Sequence, residues 1–208
     1  MRGMEWNGRE IRILDQTRLP RREVWLTLST TAQIARAITG MRIRGAPALG
    51  IIGAYGVAQA ALRSKAKTTL GVFRDAEKAG AVLAFTRPTA VNLAWAINRT
   101  LDAGRAVVES ADRDAIVKTL AEEANFIAEE DARACDAIAR VGQEFVVPGA
   151  RVLTHCNTGL LCTGGSGTAL GVIRLAHESG KDIKVLATET RPLLQGARLT
   201  AWELGTLG

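Results

Sequence analysis

Hydrophobic positions along the chain follow two different periods. In residues 10–15, Ile11 and Ile13 alternate with polar neighbours, the two-residue period of a half-buried strand. Leu19-Pro20 breaks that pattern. Ile34, Ala35 and Ile38 then recur at helical spacing, with Thr30 or Thr31 placed as the N-cap and Gly40 just past the end. Residues 51–62 are apolar nearly all round, which predicts a helix buried on every side. Pro47 sits at its opening, the helical position that tolerates proline best. Further helices are expected over 70–84, from the RPTAVNLAWA segment onward with Pro88 near the first turn, and over 112–141, where alanine and charged residues dominate. The acidic pairs of that last helix, such as Glu122-Glu123, read as a solvated face.

The pattern changes at Pro148-Gly149. Residues 151–155 are β-rich, 168–179 read as a helix stopped by Gly180, 183–188 as a second strand, and 193–204 as a second helix. The order β-α-β-α opens a parallel sheet covered by helices. The expected fold is therefore α/β: a mainly helical domain over 1–147 with a short N-terminal β segment, then the first part of a Rossmann-like sheet over 148–208. Two parallel strands do not make a self-sufficient sheet, because parallel sheets are covered on both faces and flanked by further strands. A third strand is expected where residue 208 ends the sequence, so the missing strands come from a longer domain or from another chain.

Composition narrows the class. Aromatics are only 4% of the 208 residues, so the core is aliphatic. No apolar run is long enough to span a bilayer, and the charged N-terminus does not read as a signal peptide. The 27 basic and 21 acidic residues give a net charge of +6, but the basic ones are scattered, which argues against nucleic acid and for an anionic small molecule. Three cysteines and no export signal point to free thiols in a reducing cytoplasm. The spacing of Cys156 and Cys162, with only His155 and His177 besides, fits no usual zinc pattern.

Four places carry candidate chemistry. Cys156 ends the first strand of the α/β part, where open sheets place ligands. The loop TGGSGT at 163–168 leads from it into a helix N-terminus, whose positive end favours anions and thiolates. As structure alone, the same cysteine is a small buried hydrophobe and the glycines a tight turn; the local pattern leaves both open. Arg44-Gly45-Ala46-Pro47 sets amides and a guanidinium at a helix start, fit for a phosphate or for an ordinary turn. Arg87 precedes Pro88 ahead of another helix. Glu189, Arg191 and Gln195 follow the second strand and would share the crevice with Cys156. His155 is expected to face away from Cys156, since strand neighbours point to opposite sides. Cys135 and Cys162 read as packing residues.

Six collinear segments, ILDQTRLP, RGAPALGI, RPTAVNLAWA, VLTHCNTG, GSGTALGVI and ETRPLLQGARLTAWEL, together resemble the methylthioribose-1-phosphate isomerase family. That family is grouped with ribose-1,5-bisphosphate isomerases and the regulatory subunits of the eukaryotic initiation factor two exchange factor. The resemblance implies a cytoplasmic, usually homodimeric aldose–ketose isomerase of methionine salvage, converting 5-methylthioribose 1-phosphate to 5-methylthioribulose 1-phosphate. It makes Cys156 the catalytic cysteine and Arg44, Gly45, Ala46, Arg87 and Gln195 substrate contacts, with no metal or organic cofactor. Ser166 replaces a common tyrosine, Thr188 a usual aspartate, and Cys162 a common alanine. The family's catalytic aspartate and an Asn-Lys pair belong to the next strand–loop unit, which these 208 residues do not include. The alternative is a non-catalytic, sugar-phosphate- or nucleotide-binding regulatory subunit of the same group.

Overall fold

The computed structural model describes residues 3–207. Its chain opens with an antiparallel meander of β1 (Met4–Trp6), β2 (Ile11–Leu14) and β3 (Trp25–Leu28), in that spatial order. Ile13 pairs with Met4 on one side and Leu26 on the other, and Ile11 and Ile13 are fully buried while Arg12 faces solvent. Only the central strand carried a readable alternation. Strand β1 has only three residues, and β3 sets Trp25 directly beside Leu26, so neither shows an alternation.

Helix α1 (Thr31–Thr39) starts on a capping box between Thr30 and Gln33. Helix α2 (Ala46–Arg63) is the centre of the molecule, packed by α1, α3 (Thr69–Phe85), α4 (Val91–Val107) and α5 (Arg113–Gly142). That packing explains its apolar surface on every side. Helix α4 begins at Val91, later than the sequence suggests: the Ala90 amide closes a turn on the Arg87 carbonyl at 2.9 Å, leaving Pro88 outside the helix. Proline disfavours helical backbone at the residue before it, so the turn intervenes. Helix α5 is capped by Asp112, whose side chain accepts from the Ala115 amide at 2.8 Å.

After a 3-10 turn at Gln143–Phe145 come β4 (Arg151–Thr154), α6 (Ala169–Glu178) and β5 (Lys184–Ala187). The two strands pair in parallel, with Val152 opposite Val185 and Leu153 opposite Leu186. Leu153 and Leu186 are 69% and 58% exposed, so one face of this sheet presents leucines to solvent. The final helix starts at Gly196, not 193: a π-helical turn over Gly196–Thr200 runs into α7 (Ala201–Gly205). Among the described residues no helix is long and apolar enough to cross a membrane.

A large aliphatic core lies under the five long helices and β2. A smaller one joins Leu14 and Leu19 to Leu161 and Leu199, with Trp25 and Trp202 against it. This second core joins the end of β2 and the turn after it to the segments that follow β4 and β5.

Candidate active site

Backbone placement comes first. Gly45 caps α2 at φ +99°, a conformation that side chains with a Cβ rarely adopt. Its chain is pressed against Cys162, and the Ala48 amide donates to the Cys162 carbonyl at 3.0 Å. The start of α2, and Arg44 just before it, are thereby fixed to the loop that follows β4. Of the five non-glycine residues at positive φ among those described, Cys156, Thr190, Leu194 and Met41 (63°, 62°, 55° and 55°) fall in this region, and Asp182 (46°) lies in the turn before β5. Such backbone clusters at functional sites, where surrounding contacts hold it in place. Here the Cys156 amide donates to Thr190 Oγ1 at 3.0 Å, and Thr200 Oγ1 donates to the Cys156 carbonyl at 2.6 Å.

Arg44 is the central side chain. It is 7% exposed, and its Nη2 donates to Asn157 Oδ1. Burial lowers its pKa from the usual guanidinium value, against the opposing pull of Cys162, Cys156 and Glu203, which lie close enough to act on its charge. Asn157 is itself held by Glu203: its Nδ2 donates to Glu203 Oε1 at 2.7 Å, and Glu203 also accepts from the Leu160 amide at 2.7 Å. Burial raises the Glu203 pKa above the ordinary carboxylate value, outweighing the hydrogen bonds and the Arg44 charge that lower it. The Cys162 thiol, 6% exposed, is pushed up to about 12 by burial and donates to the Gly159 carbonyl at 3.2 Å. Cys135 is 1% exposed and its thiol is likewise raised by burial. Cys156 is the half-buried thiol of the three.

Arg44 also borders a cleft of about 510 Å³. Arg44, Gln16, Thr17, Met41, Gln195 and Arg198 contribute to its walls. Six side-chain polar atoms among the described residues are buried without a hydrogen-bond partner, and three of them, Gln16 Oε1, Arg44 Nε and Gln195 Oε1, belong to residues of this cleft. Native proteins leave few such groups unpaired, so their concentration here marks a place where a ligand supplies the partners. Arg198 braces the floor, donating to the Gln16, Leu19 and Leu193 carbonyls at 2.9–3.2 Å.

The residues singled out from sequence divide accordingly. Arg44 and Gln195 share the cleft. Gly45 and Ala46 follow Arg44 as the cap and first residue of α2. Arg87 reaches in from the α3–α4 connection, its Nη1 donating to Met41 Sδ at 3.6 Å. Cys156 is not among the residues lining the cleft, so it does not share that crevice with Gln195 as expected; it lies close enough to Arg44 to act on its charge. Glu189 and Arg191 do not join them: they pair with each other at 3.0 Å on the surface. His155 is exposed and bonded through Nδ1 to Thr188 Oγ1 at 2.7 Å.

Of the two readings left open for the glycine-rich loop, its contacts here are those of the structural one. The Gly164 amide donates to Asp131 Oδ2 at 2.6 Å, and a Cβ on Gly165 would lie 2.8 Å from Ala132 Cα, so these glycines let the loop lie directly on α5. The α6 N-terminus is closed by Thr158, whose carbonyl and hydroxyl accept from the Thr168 and Leu170 amides at 2.8 and 3.2 Å. The cation beside Cys156 is Arg44, delivered from the far end of the sequence. Gln16, Asn157, Thr200 and Glu203 lie within the quoted segments, yet none was legible as a site residue, because no neighbour in sequence gives it a chemical role. Only the tertiary fold brings them together. Among the described residues, no three His, Cys, Asp or Glu side chains are grouped to hold a metal ion.

The chain is similar to known proteins over nearly its whole length. Residues 42–208 match the profile of the Initiation factor 2 subunit family. The methylthioribose-1-phosphate isomerases of Geotalea daltonii and Geobacter sulfurreducens are 52% and 51% identical over 205 residues, 98% of this chain. The chain spans 58% of the length of each. The crystal structure of 5-methylthioribose 1-phosphate isomerase from Pyrococcus horikoshii superposes with a TM-score of 0.94 at 39% identity, covering all of this chain and 58% of that one. A structure described as translation initiation factor eIF-2B, subunit delta, from A. fulgidus is similar as well, with a TM-score of 0.91 at 40% identity over 99% of this chain and 59% of that one.

Proposed function

We propose that this chain, which belongs to the Initiation factor 2 subunit family, supplies one half of the active site of a sugar-phosphate isomerase. The reaction is the conversion of 5-methylthioribose 1-phosphate to 5-methylthioribulose 1-phosphate, a step of methionine salvage in the cytoplasm. The observation that carries this reading is the cleft in which Arg44 Nε, Gln16 Oε1 and Gln195 Oε1 lack partners. It combines a buried cation for a phosphate with acceptors for hydroxyls, and the half-buried Cys156 thiol lies close enough to Arg44 to act on its charge. Relatives about half identical to this chain, and named for that reaction, support it.

In this reading the seam between a helical domain, 1–147, and a Rossmann-like domain, 148–208, forms the site. Arg44 and Arg87, with the amides of Gly45 and Ala46, hold the phosphate, whose negative charge suits two cations and a helix start. Gln195 orients the sugar. Isomerisation moves a hydrogen from C2 to C1, and the C1 phosphate prevents simple ring opening, so an acid and a base must face one sugar. Cys156 is the group of this chain that handles the proton. Its partner, a catalytic aspartate, comes from the C-terminal part of the family's length, which also covers the exposed Leu153 and Leu186. The assembled protein is a homodimer.

Turnover is measured on 5-methylthioribose 1-phosphate with the chain alone and mixed with the C-terminal fragment of a relative. Activity in the mixture that Cys156→Ala lowers by at least about 10²-fold supports the reading. A folded complex without turnover favours the second reading, a binding subunit. The similarity to the structure described as eIF-2B subunit delta is the observation on that side.

A further inference from the structure

We infer that Gln16 is a specificity-determining residue of this cleft, its side-chain carbonyl accepting a hydrogen bond from a hydroxyl of the bound sugar phosphate. The inference rests on the sugar-phosphate reading and adds to it a contact at a residue that the sequence did not single out as a site candidate.

Gln16 follows β2 and is 2% exposed. Its Nε2 donates to the Leu161 carbonyl at 2.7 Å, and since that partner can only accept, the amide end is assigned without ambiguity. The other end, Oε1, is shielded from bulk water and has no partner. The backbone is equally fixed: the Gln16 amide donates to the Arg42 carbonyl at 3.0 Å, and the Gln16 carbonyl accepts from Arg198 Nη1 at 3.2 Å. Rotating the side chain to find another partner for Oε1 would break the bond to Leu161. A buried acceptor held in this way is complemented only by a donor.

That requirement orients the ligand. A phosphate ionised at neutral pH offers chiefly acceptors, which suit Arg44, whereas the donors of a sugar phosphate are its hydroxyls. The phosphate therefore belongs at the Arg44 side and a hydroxyl at Gln16, with the Gln195 carbonyl able to take a second. A site built to pair a hydroxyl rejects an analogue that lacks it, because its buried acceptor is then left unmatched.

The test compares wild type with Gln16→Met, which keeps the side chain's length and removes its polar atoms. Calorimetry is run with 5-methylthioribose 1-phosphate and separately with inorganic phosphate, on the chain alone and with the C-terminal fragment. Loss of one neutral hydrogen bond should weaken sugar-phosphate binding about tenfold, with inorganic phosphate unchanged within about twofold. Equal weakening for both ligands means that Gln16 only supports the fold, and no weakening for either means that it makes no contact; each overturns the inference and leaves the sugar-phosphate reading standing. Wild type that binds no sugar phosphate in either form overturns both. Should the variant fail to fold, the Gln16 side-chain amide resonance of the wild type decides. It should shift with the sugar phosphate and stay in place with inorganic phosphate, and the absence of that difference overturns the inference.

Discussion

A Cβ built on Gly45 would lie 2.3 Å from the Cβ of Cys162 and 2.7 Å from its Cα. This close approach joins the cap of α2 to the loop after β4, and Arg44 is placed by it. Gly45→Ala therefore meets two costs at once, a side chain at φ +99° and a collision with backbone that cannot rotate away. Together they should remove about 3 kcal/mol of stability, read as a fall in the denaturant midpoint with unchanged slope. Cys162→Gly should restore only part of that loss, since the collision with the main chain of residue 162 and the strain at residue 45 both remain.

The three thiols differ enough to be separated chemically. Cys156 is half-buried, whereas burial raises both Cys162, to about 12, and Cys135. Iodoacetamide at about pH 7.5 should label Cys156 at least about tenfold faster than the other two, because the thiolate is the reacting form and must be reachable. Peptide mass spectrometry after timed quenching checks this. Labelling of Cys162 at a comparable rate in the folded chain would contradict the packing described above. Bound sugar phosphate should slow the Cys156 reaction.

Long elements were legible in the sequence because their signals repeat. The apolar run of 51–62 announced α2, and the turn residues around Pro148-Gly149 and Gly180 announced the β-α-β order. What escaped was either short or tertiary. Strand β1 has too few residues to show a period, β3 sets Trp25 beside Leu26, and Pro88 marked a turn before α4 instead of its first turn. The TGGSGT loop could be read as an anion cradle or as a tight turn; Gly164 and Gly165 serve close approach to α5, and Gly167 packs against Thr158 and Gly159. A glycine's absent side chain carries no sign of which neighbour required it. Arg44 was legible as a candidate; its bond to Asn157, 113 residues away, was not.

The sheet face offers a prediction that separates the chain's own stability from assembly. Leu153 and Leu186 are register partners and both mostly exposed. Exchanging exposed side chains usually changes stability by no more than about 0.5 kcal/mol, so Leu153→Lys with Leu186→Glu should leave the melting temperature of this chain nearly unchanged. If the C-terminal segment covers this face, the same pair should abolish complementation by that fragment. Fragment binding is measured by gel filtration and turnover in parallel. Retained assembly would place the covering segment elsewhere.

Glu203 gives a signed pH dependence. Burial is the main cause of its raised pKa, against the bonds from Asn157, Leu160 and Leu161. A raised folded-state pKa means that the folded chain keeps this proton at pH values where the unfolded chain has released it. The stabilisation is thus fully present below the unfolded glutamate value of about 4.3 and is lost as pH rises through the higher folded value. Two other polar or titratable neighbours, Arg44 and Cys162, do not change charge in that window: a guanidinium stays protonated there, and the Cys162 thiol stays neutral. Glu203→Gln removes the titration while keeping the shape. The melting temperature of wild type minus that of the variant should therefore fall as pH rises from about 4.3 towards neutrality, then level off. A difference that rises with pH would mean that the ionised carboxylate is the stabilised form, and that its attraction to Arg44 outweighs its burial.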